Sequence, residues 1–314
     1  MKVNETKCKH FYLNEGLPQG SAISPLLFLI FINYISTNLA PDTLVSLFAD
    51  DTAIEIHELE NSNMQENTER MQKEVDQIQE WANEWKMKIN EGKTKALIIS
   101  TKPADLDLDS IPKLKLNGED IKPVKSYKFL GVKADQNLKF SEHVNDTIKA
   151  CTKRVNILKC LSGRKWGQSL ETQRKIYMTF IRTKLEYGSS SWWDWVGPTN
   201  QMKLERVQNA ACRTMAGLTK GCPVDFLNLE AGVEPLHVRM RKNNEILVDK
   251  YRRLPEDDDR RILLTKAAPV RLKTRHGWRN NTKVSVDNAD FNTQIRILKP
   301  WTTFENIKID KVPL

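Results

Sequence analysis

Two adjacent aspartates, Asp50 and Asp51, are the residues of this sequence best suited to chemistry. Like charges side by side repel each other, and each carboxylate loses hydration when it is partly enclosed. A divalent cation removes this penalty, and Mg²⁺ binds a few carboxylates together with substrate phosphates and water. Two such ions can clamp an in-line phosphoryl displacement. Taken alone, the pair fits a solvated acidic turn as well as a metal site, because short motifs match by chance.

Apolar runs of β type lie on both sides of the aspartate pair. The first run contains Leu44, Val45, Leu47 and Phe48, and the second contains Ala53, Ile54 and Ile56. Two short runs joined by a polar dipeptide are typical of a hairpin. The sequence therefore predicts a hairpin over residues 43–58 with both aspartates at its tip.

A glycine-containing corner and a helix precede this hairpin. Residues 16–20 read Gly-Leu-Pro-Gln-Gly, which predicts a turn because glycine permits positive φ and proline presets φ. Ser24 and Pro25 suit the cap and the first position of a helix. Residues 26–32 are apolar all round, so we expect this helix to be buried in a core.

The elements after the hairpin alternate between helix and sheet. A helix is predicted over 62–89, with one apolar face formed by Met71, Val75, Ile78, Ala82, Trp85 and Ile89. We favour packing on the hairpin sheet over a coiled coil, because the repeat is short. Strands are predicted at 96–100 and 127–132, and Asn117-Gly118 predicts a hairpin within 114–121. Beyond residue 141 the pattern is mainly helical, with helices marked at 144–158, 168–187, 200–216 and 235–254.

Charge is unevenly distributed along the chain. Residues 1–100 carry 9 Lys and Arg against 15 Asp and Glu, whereas residues 101–314 carry 40 against 25. This asymmetry favours a carboxylate-bearing site joined to a surface that attracts polyanions, although a merely soluble basic protein has the same charge. Five cysteines without a C-x-x-C pair favour reduced thiols over disulfides or structural zinc. No export signal or membrane anchor is visible, so we expect an intracellular protein of the nucleus or cytoplasm.

Four blocks follow one another in a recognisable order: Gly-Leu-Pro-Gln-Gly-Ser at 16–21, Phe-Ala-Asp-Asp at 48–51, Asn-Glu-Gly-Lys-Thr-Lys at 90–95 and Phe-Leu-Gly-Val at 129–132. This order resembles the palm of reverse transcriptases, specifically those of jockey-like, LINE-type non-LTR retrotransposons. Residues 185–188 (Leu-Glu-Tyr-Gly) and 204–213 also look like the family's post-palm portion. The resemblance covers roughly residues 15–241.

The resemblance implies RNA-directed DNA synthesis, in which a nucleotide is transferred from a dNTP to the 3′ end of a primer by a two-metal mechanism. An RNA template and a DNA primer would lie across the palm. Asp50 and Asp51 match the family's paired metal-site aspartates, and Mg²⁺, with Mn²⁺ as a possible substitute, is the implied cofactor. The sequence itself does not fix the oligomeric state.

Further residues match the family's blocks around the nucleotide. Gln19, Gly20 and Ser21 match the block that borders the incoming nucleotide and its templating base, and Phe48 takes a position that is Tyr or Phe in the family. Lys93 matches the lysine of the next block, where a cation could neutralise pyrophosphate or donate a proton. Lys95 competes for that role, and an ordinary surface lysine is an equal alternative. Residues 129–131 resemble the hairpin that supports the primer end, although a plain core strand reads the same way.

The basic helical region suits contact with a nucleic-acid backbone. Lys149, Lys153 and Arg154 are the residues we assign to that contact, and Lys159, Arg164 and Lys165 continue the basic stretch. A solvated helix face is the plain alternative. The Trp cluster at 192–195 could stack on bases, but closely spaced tryptophans more often anchor a core. The basic stretch 271–279 reads as a nucleic-acid arm or a solvated tail.

The sequence departs from the family at its start. In the family a further aspartate lies on a first palm strand upstream of the corner, whereas here only Glu5 and Glu15 precede it. We therefore expect the C-terminal part of a polymerase that lacks this strand and its aspartate and is inactive alone.

The predicted fold class is α+β. A partial polymerase palm, an antiparallel sheet with packed helices, is expected at 1–140, a mainly helical thumb-like region at 141–254 and a basic, loosely ordered tail at 255–314. A non-catalytic nucleic-acid-binding module derived from the polymerase fold is the alternative function. A helical interaction protein that uses the 62–89 face is a third reading, and it leaves the corner and hairpin blocks unexplained.

Overall fold

A computed structural model describes residues 2–3, 6–7, 16–18, 20–57, 63–100, 107–163 and 167–265. These residues fall into two compact units. The first unit lies within Met1–Ala96 and Leu106–Val124, and the second within Leu97–Asp105 and Lys125–Leu314. The predicted domain boundaries at residues 140 and 254 stay predictions, and residues 266–314 of the predicted tail lie outside the described residues.

The described strands are short and form two-stranded ladders. They are β1 (Lys2–Val3), β2 (Thr6–Lys7), β3 (Leu44–Phe48), β4 (Asp51–Glu55), β5 (Ala96–Leu97), β6 (Lys115–Leu116), β7 (Glu119–Asp120), β8 (Pro123–Val124), β9 (Ser126–Phe129) and β10 (Val132–Asp135). The pairs β1–β2, β3–β4, β6–β7 and β9–β10 are antiparallel. Helices and small sheets together make the α+β class that was predicted, but the strands described here do not join into one sheet.

Helices account for most of the second unit. The α-helices are α1 (Ser24–Ile32), α2 (Met64–Glu84), α3 (Ser141–Cys160), α4 (Leu170–Ile176), α5 (Thr183–Glu186), α6 (Ser189–Trp192), α7 (Pro198–Ala216), α8 (Val224–Ala231), α9 (Leu236–Arg252) and α10 (Asp259–Thr265). A π-helix over Tyr177–Arg182 joins α4 to α5, and 3₁₀ turns follow α1 and α6 at Asn33–Ser36 and Trp193–Trp195.

Helix α2 is the organising element of the first unit. Asn63 and Glu66 form a reciprocal capping box at its start, which satisfies backbone N–H groups that the helix itself leaves unpaired. The helix ends at Glu84, five residues before the predicted end. Lys86 adopts φ +54°, and the Met87 N–H donates to the Ala82 carbonyl at 2.7 Å, so a Schellman motif closes the helix.

Helix α1 packs on α2 through one side only. The Phe31 ring lies 5.4 Å from Trp81 and 5.3 Å from Trp85, measured between centroids. The other side is solvent-exposed, with Leu26 at 59% and Ile30 at 54% exposure. The prediction that this helix is buried all round was therefore wrong, because Ile32 is its buried residue, and Phe28 and Phe31 pack on the apolar cluster while the remaining apolar side chains face outwards.

The second unit has the larger core. Helices α3 and α7 pack against each other, and Val144, Leu158 and Leu204 are fully buried between the helices of this unit. Trp192 and Trp193 also belong to this core, with rings 6.0 Å apart, which confirms the core reading for these two residues. The described cysteines are free, and Cys151 and Cys212 are buried in the same core.

The predicted helices of the second unit are present with shifted ends, and α8 is an additional one. The segment 168–187 is one helical run interrupted by the π-helix. The single strand predicted at 127–132 was wrong, because Leu130 (φ +45°) and Gly131 (φ +83°) turn the chain between β9 and β10. Two successive positive φ values are those of the type I′ loop that the right-handed strand twist favours.

Candidate functional site

The aspartate pair lies at the tip of the β3–β4 hairpin, as predicted. Phe48 pairs with Asp51 across the end of the ladder, and Ala49 and Asp50 form the two-residue loop. Asp50 and Asp51 are both exposed, and neither carboxylate has a hydrogen bond or ion pair within the described part of the chain. Their oxygens are therefore available to a cation or a ligand.

Two small apolar clusters hold the hairpin in place below its tip. Leu47 of β3 packs on the cluster formed by Ile32, Ile35, Trp81 and Ala82. Ile54 of β4 packs on the cluster formed by Val75, Leu116 and Ile121. Since each strand is anchored to a different part of the core, the fold positions the aspartate loop although its carboxylates form no hydrogen bond or ion pair with the described residues.

The glycine-containing corner is built by hydrogen bonds to the Pro18 carbonyl. The Ser24 hydroxyl donates to it at 2.8 Å, and the Ser21 N–H donates at 3.4 Å. Gly20 adopts φ +88°, a conformation in which a side chain would be strained. Gln19, the residue predicted to face the nucleotide, lies outside the described residues.

The corner and the aspartate hairpin are attached to one apolar cluster. The corner leads directly into α1, whose Phe28 and Phe31 pack on the cluster that also receives Leu47. The helix that follows Gly20 and Ser21 and the strand that precedes the aspartate loop therefore pack on the same cluster. Phe48 itself is 62% exposed beside the aspartates and packs on neither cluster.

Lys93 lies in a turn that is tied to α2. Its N–H donates to the Asn90 side-chain oxygen at 3.0 Å, and its side chain is exposed. The neighbouring Glu91 carboxylate accepts a hydrogen bond from the Asn117 amide at 2.6 Å, which lowers the pKa of Glu91. Asn117 in turn donates its backbone N–H to Gln79 of α2 at 2.8 Å. The choice between Lys93 and the half-buried Lys95 stays open.

The donor set at the hairpin tip suits a magnesium ion that also binds its substrate. Among the described residues, no group of three or more His, Cys, Asp or Glu side chains is arranged to hold a metal. Asp50 and Asp51 supply carboxylate oxygens, and Mg²⁺ commonly takes one or two carboxylates and completes its shell with substrate phosphates and water.

The post-palm block Leu-Glu-Tyr-Gly contacts the Phe-Leu-Gly-Val hairpin of the second unit. The Tyr187 hydroxyl donates to the Leu130 carbonyl at 2.8 Å. A Cβ on Gly131 would lie 2.9 Å from the Tyr187 ring, and a Cβ on Gly188 would lie 2.8 Å from the side chain of Val132. Both glycines are therefore needed for the close approach. The sequence showed both blocks, but no pattern in it indicated that they meet.

The base of this second hairpin is fixed by α3. The Lys133 ammonium lies 2.7 Å from the Glu142 carboxylate, which also accepts a hydrogen bond from Ser126 at 2.9 Å, and these contacts lower the pKa of Glu142. The Lys133 N–H donates to Nδ1 of His143 at 3.2 Å. Burial, reinforced by the nearby Lys184 charge, lowers the pKa of His143, so its neutral form is favoured.

The predicted backbone-binding cations of α3 differ in their surroundings. Lys149 and Lys153 are exposed and have no carboxylate partner within the described residues. Arg154 instead donates to the Phe180 carbonyl, and its guanidinium lies 4.6 Å from the centre of the Phe180 ring. Arg164, Lys165 and the basic stretch 271–279 lie outside the described residues. The nucleic-acid role of each cation stays a prediction.

Comparison with known proteins identifies the class of the first part of the chain. Residues 1–134 match the family model described as reverse transcriptase (RNA-dependent DNA polymerase). This match covers the corner, the aspartate hairpin, the Lys93 turn and the β9–β10 hairpin. Residues 1–134 are therefore similar to the reverse transcriptase family, as the four blocks predicted.

The similar curated proteins are retrotransposon polymerases. The RNA-directed DNA polymerase from mobile element jockey of Drosophila melanogaster is 28% identical over 179 residues, which is 55% of this chain and 19% of that protein. The probable RNA-directed DNA polymerase from transposon BS of the same species is 25% identical over 273 residues, 85% of this chain and 29% of the relative. The chain thus spans between a fifth and a third of these two relatives.

A third relative widens the group. The Pol polyprotein from type-1 retrotransposable element R1 2 of Nasonia vitripennis is 26% identical over 182 residues, 57% of this chain and 43% of that protein. No solved structure matches the chain. Within the described residues, no helix has both the length and the apolar character needed to cross a membrane.

Proposed function

We propose that this chain takes part in RNA-directed DNA synthesis, with the β3–β4 hairpin carrying its metal site. The observation that supports the proposal best is the pair Asp50 and Asp51: both are exposed and unpartnered at the tip of a hairpin whose two strands are anchored in separate apolar clusters. The match of residues 1–134 to the reverse transcriptase model supports a role for this hairpin in nucleotide transfer.

In this proposal Asp50 and Asp51 hold Mg²⁺, with Mn²⁺ as a substitute. When bound, the metal neutralises phosphate charge and activates the primer hydroxyl for in-line transfer. Gly20 and Ser21, with Gln19, border the incoming dNTP, because a glycine at positive φ lets the backbone approach the ligand closely. Phe48 offers an exposed ring beside the aspartates. Lys93 stabilises the charge that develops on the leaving pyrophosphate.

The second unit supplies contacts to the RNA template and DNA primer in this proposal. Residues 129–131 support the primer end, and Tyr187 holds that loop in its turned conformation through the Leu130 carbonyl. Lys149, Lys153 and Arg154 contribute positive charge for the phosphate backbone. The intracellular location and the thumb-like role of the helical region remain predictions.

Primer extension on an RNA template tests the proposal. Asp50→Asn and Asp51→Asn remove a charge without changing side-chain size, and each should lower extension by roughly 100-fold or more, the usual effect of losing one electrostatic contact in the transition state. Asp257→Asn is the matched control, since Asp257 is also exposed and unpaired but lies outside the hairpin.

The assay should use both this chain and a protein extended upstream, because the expectation that the chain is inactive alone is itself a prediction. Mn²⁺ binding, followed by electron paramagnetic resonance, gives a readout that does not need turnover. No extension by either protein, together with metal binding that Asp50→Ala leaves unchanged, would contradict the enzymatic proposal.

The alternative function is a non-catalytic nucleic-acid-binding module. It is favoured by the second unit, which has its own core and presents unpaired Lys149 and Lys153. This alternative predicts salt-sensitive binding to a template–primer duplex in the presence of EDTA, with Asp50→Asn neutral or strengthening. Binding that requires Mg²⁺ and Asp50 would decide against it.

A further inference from the structure

Helices α3 and α7 of the second unit enclose an open groove of about 390 Å³. Polar and apolar side chains both line this groove. The residues that line it are Asn145, Ile148, Thr152, Val155, Asn156, Lys159, Lys203, Arg206, Val207 and Ala210. The α7 residues of this set carry no motif that predicts a role for them.

The rim of the groove carries positive charge and no carboxylate. Lys159 comes from α3, and Lys203 and Arg206 come from α7. The acidic residues nearest in sequence are engaged elsewhere: Asp146 lies 3.8 Å from Lys133, and Glu205 accepts the His237 N–H at 2.8 Å. Three cations on one groove without an internal counter-charge repel each other, and an anionic ligand removes that cost.

The rim cations are held by weak partners that a phosphate could replace. Lys159 lies 3.5 Å from the Asn156 side-chain oxygen, and Lys203 lies 3.0 Å from that of Asn200. Arg206 is exposed and has no hydrogen-bond partner within the described residues. An arginine fork in this state can bind two oxygens of one phosphate.

The floor of the groove is rigid and apolar. Val155 and Val207 are buried, at 3% and 8% exposure, in the α3–α7 contact. The amides of Asn145 and Asn156 also line the groove. Charged rims with neutral donors suit the phosphates of a strand, and an apolar floor suits the carbon face of its sugars, whereas a free small anion needs no such floor.

We propose that the α3–α7 groove binds the phosphodiester backbone of one nucleic-acid strand, with Lys159, Lys203 and Arg206 on its phosphates. This proposal rests on the proposed function, and it adds the α7 residues Lys203 and Arg206 to the residues that contact nucleic acid. Lys149 follows Asn145 by one turn of α3, so this predicted cation extends the same positive surface.

Binding of fluorescein-labelled RNA, single-stranded or in an RNA–DNA duplex, tests the groove in the full chain by anisotropy with EDTA present. Lys203→Gln with Arg206→Gln should weaken binding about tenfold at 0.1 M salt and lower the salt slope by about 2, one per lost phosphate contact. Arg241→Gln with Lys250→Gln is the matched control, because it removes the same charges from exposed positions of α9 that have no partner among the described residues.

A groove-filling variant distinguishes a strand bound in the groove from general electrostatic attraction to the basic surface. Thr152→Trp fills the groove without changing charge, at an exposed position of α3 that tolerates a large side chain. If Thr152→Trp binds single-stranded RNA or the RNA–DNA duplex more weakly, with an unchanged far-UV circular dichroism spectrum, the result supports binding of that nucleic acid in the groove. Equal effects of the groove and α9 pairs, or normal binding by Thr152→Trp, overturn it while the proposed function stands. No binding by the parent chain contradicts the proposed function itself.

Discussion

The two functional hairpins of this chain are built in opposite ways. In the β3–β4 hairpin the strands are anchored and the tip is free, since the Asp50 and Asp51 carboxylates form no hydrogen bond or ion pair within the described chain. In the β9–β10 hairpin the tip itself is held, because Tyr187 binds the Leu130 carbonyl and covers Gly131. A free tip suits a site whose partners are ligands, whereas a held tip suits a surface that must keep its shape.

The difference between the loops also appears in their backbones. Both contain a residue with a side chain at positive φ, Ala49 at +52° and Leu130 at +45°. In the second loop the Tyr187 hydroxyl donates to the Leu130 carbonyl, whereas no hydrogen bond from a side chain of the described residues reaches Ala49.

The largest effect should come from Gly131→Ala, which breaks the held tip. The new Cβ forces a left-handed residue to carry a side chain and displaces the Tyr187 ring, so we expect a loss of about 2–3 kcal/mol in the free energy of unfolding. Gly118→Ala is the control, because Gly118 has the same φ of +83° but open space around it, and it should cost about 1–2 kcal/mol.

Urea unfolding measures both variants, and a double variant sharpens the result. In the Tyr187→Ala background the ring is gone, so Gly131→Ala should cost no more than Gly118→Ala. If the extra cost persisted there, the contact between the two blocks would not be what holds the loop.

A smaller effect of opposite sign is expected at the free tip. Ala49→Gly relieves the left-handed strain at φ +52°, and we expect a gain of about 0.5–1 kcal/mol after the entropy cost of glycine. Ala53→Gly, in the middle of β4, is the control and should destabilise. The same urea measurement checks both, and a destabilising Ala49→Gly would show that the loop is not strained.

The smallest effect concerns pH and the base of the held hairpin. Burial lowers the pKa of His143 from its ordinary value of 6.5, so the unfolded chain takes up a proton at a higher pH than the folded one. The stability that depends on neutral His143 is therefore present above about pH 6.5 and is lost as the pH falls below it. Protonation also removes the acceptor for the Lys133 N–H.

Unfolding free energies at pH 7, 6 and 5 test this directly. His143→Gln should flatten the decline relative to the parent protein. Parallel declines in the two proteins would remove His143 from the explanation.

Local signals in the sequence were sufficient for several elements. Alternating apolar runs around a polar dipeptide located the aspartate hairpin, and Asn117-Gly118 located the β6–β7 turn, because both residues of that turn take positive φ. The order of the four blocks identified the family. These features depend on neighbouring residues, and a single sequence contains that information.

Other features depend on contacts between distant residues. Leu130 carries no turn signal, so the apolar pattern alone predicts one strand over 127–132. The resemblance to the family indicated a hairpin at 129–131, and Tyr187 holds a turn there. The end of α2 was missed because Lys86, rather than Gly or Asn, takes the left-handed position. The apolar composition of α1 could not reveal that only one of its sides meets α2.

The cysteines of the second unit differ in how readily a thiol-reactive label can reach them. Burial raises the pKa of Cys151 to about 11 and that of Cys212 to about 12, so both stay protonated and slow to react at neutral pH. Cys160 is exposed at the last residue of α3, directly after Lys159. Cys222 is half-buried and free, so it must be replaced, as in Cys222→Ser, before a maleimide dye on Cys160 can report strand entry at the end of the α3–α7 groove.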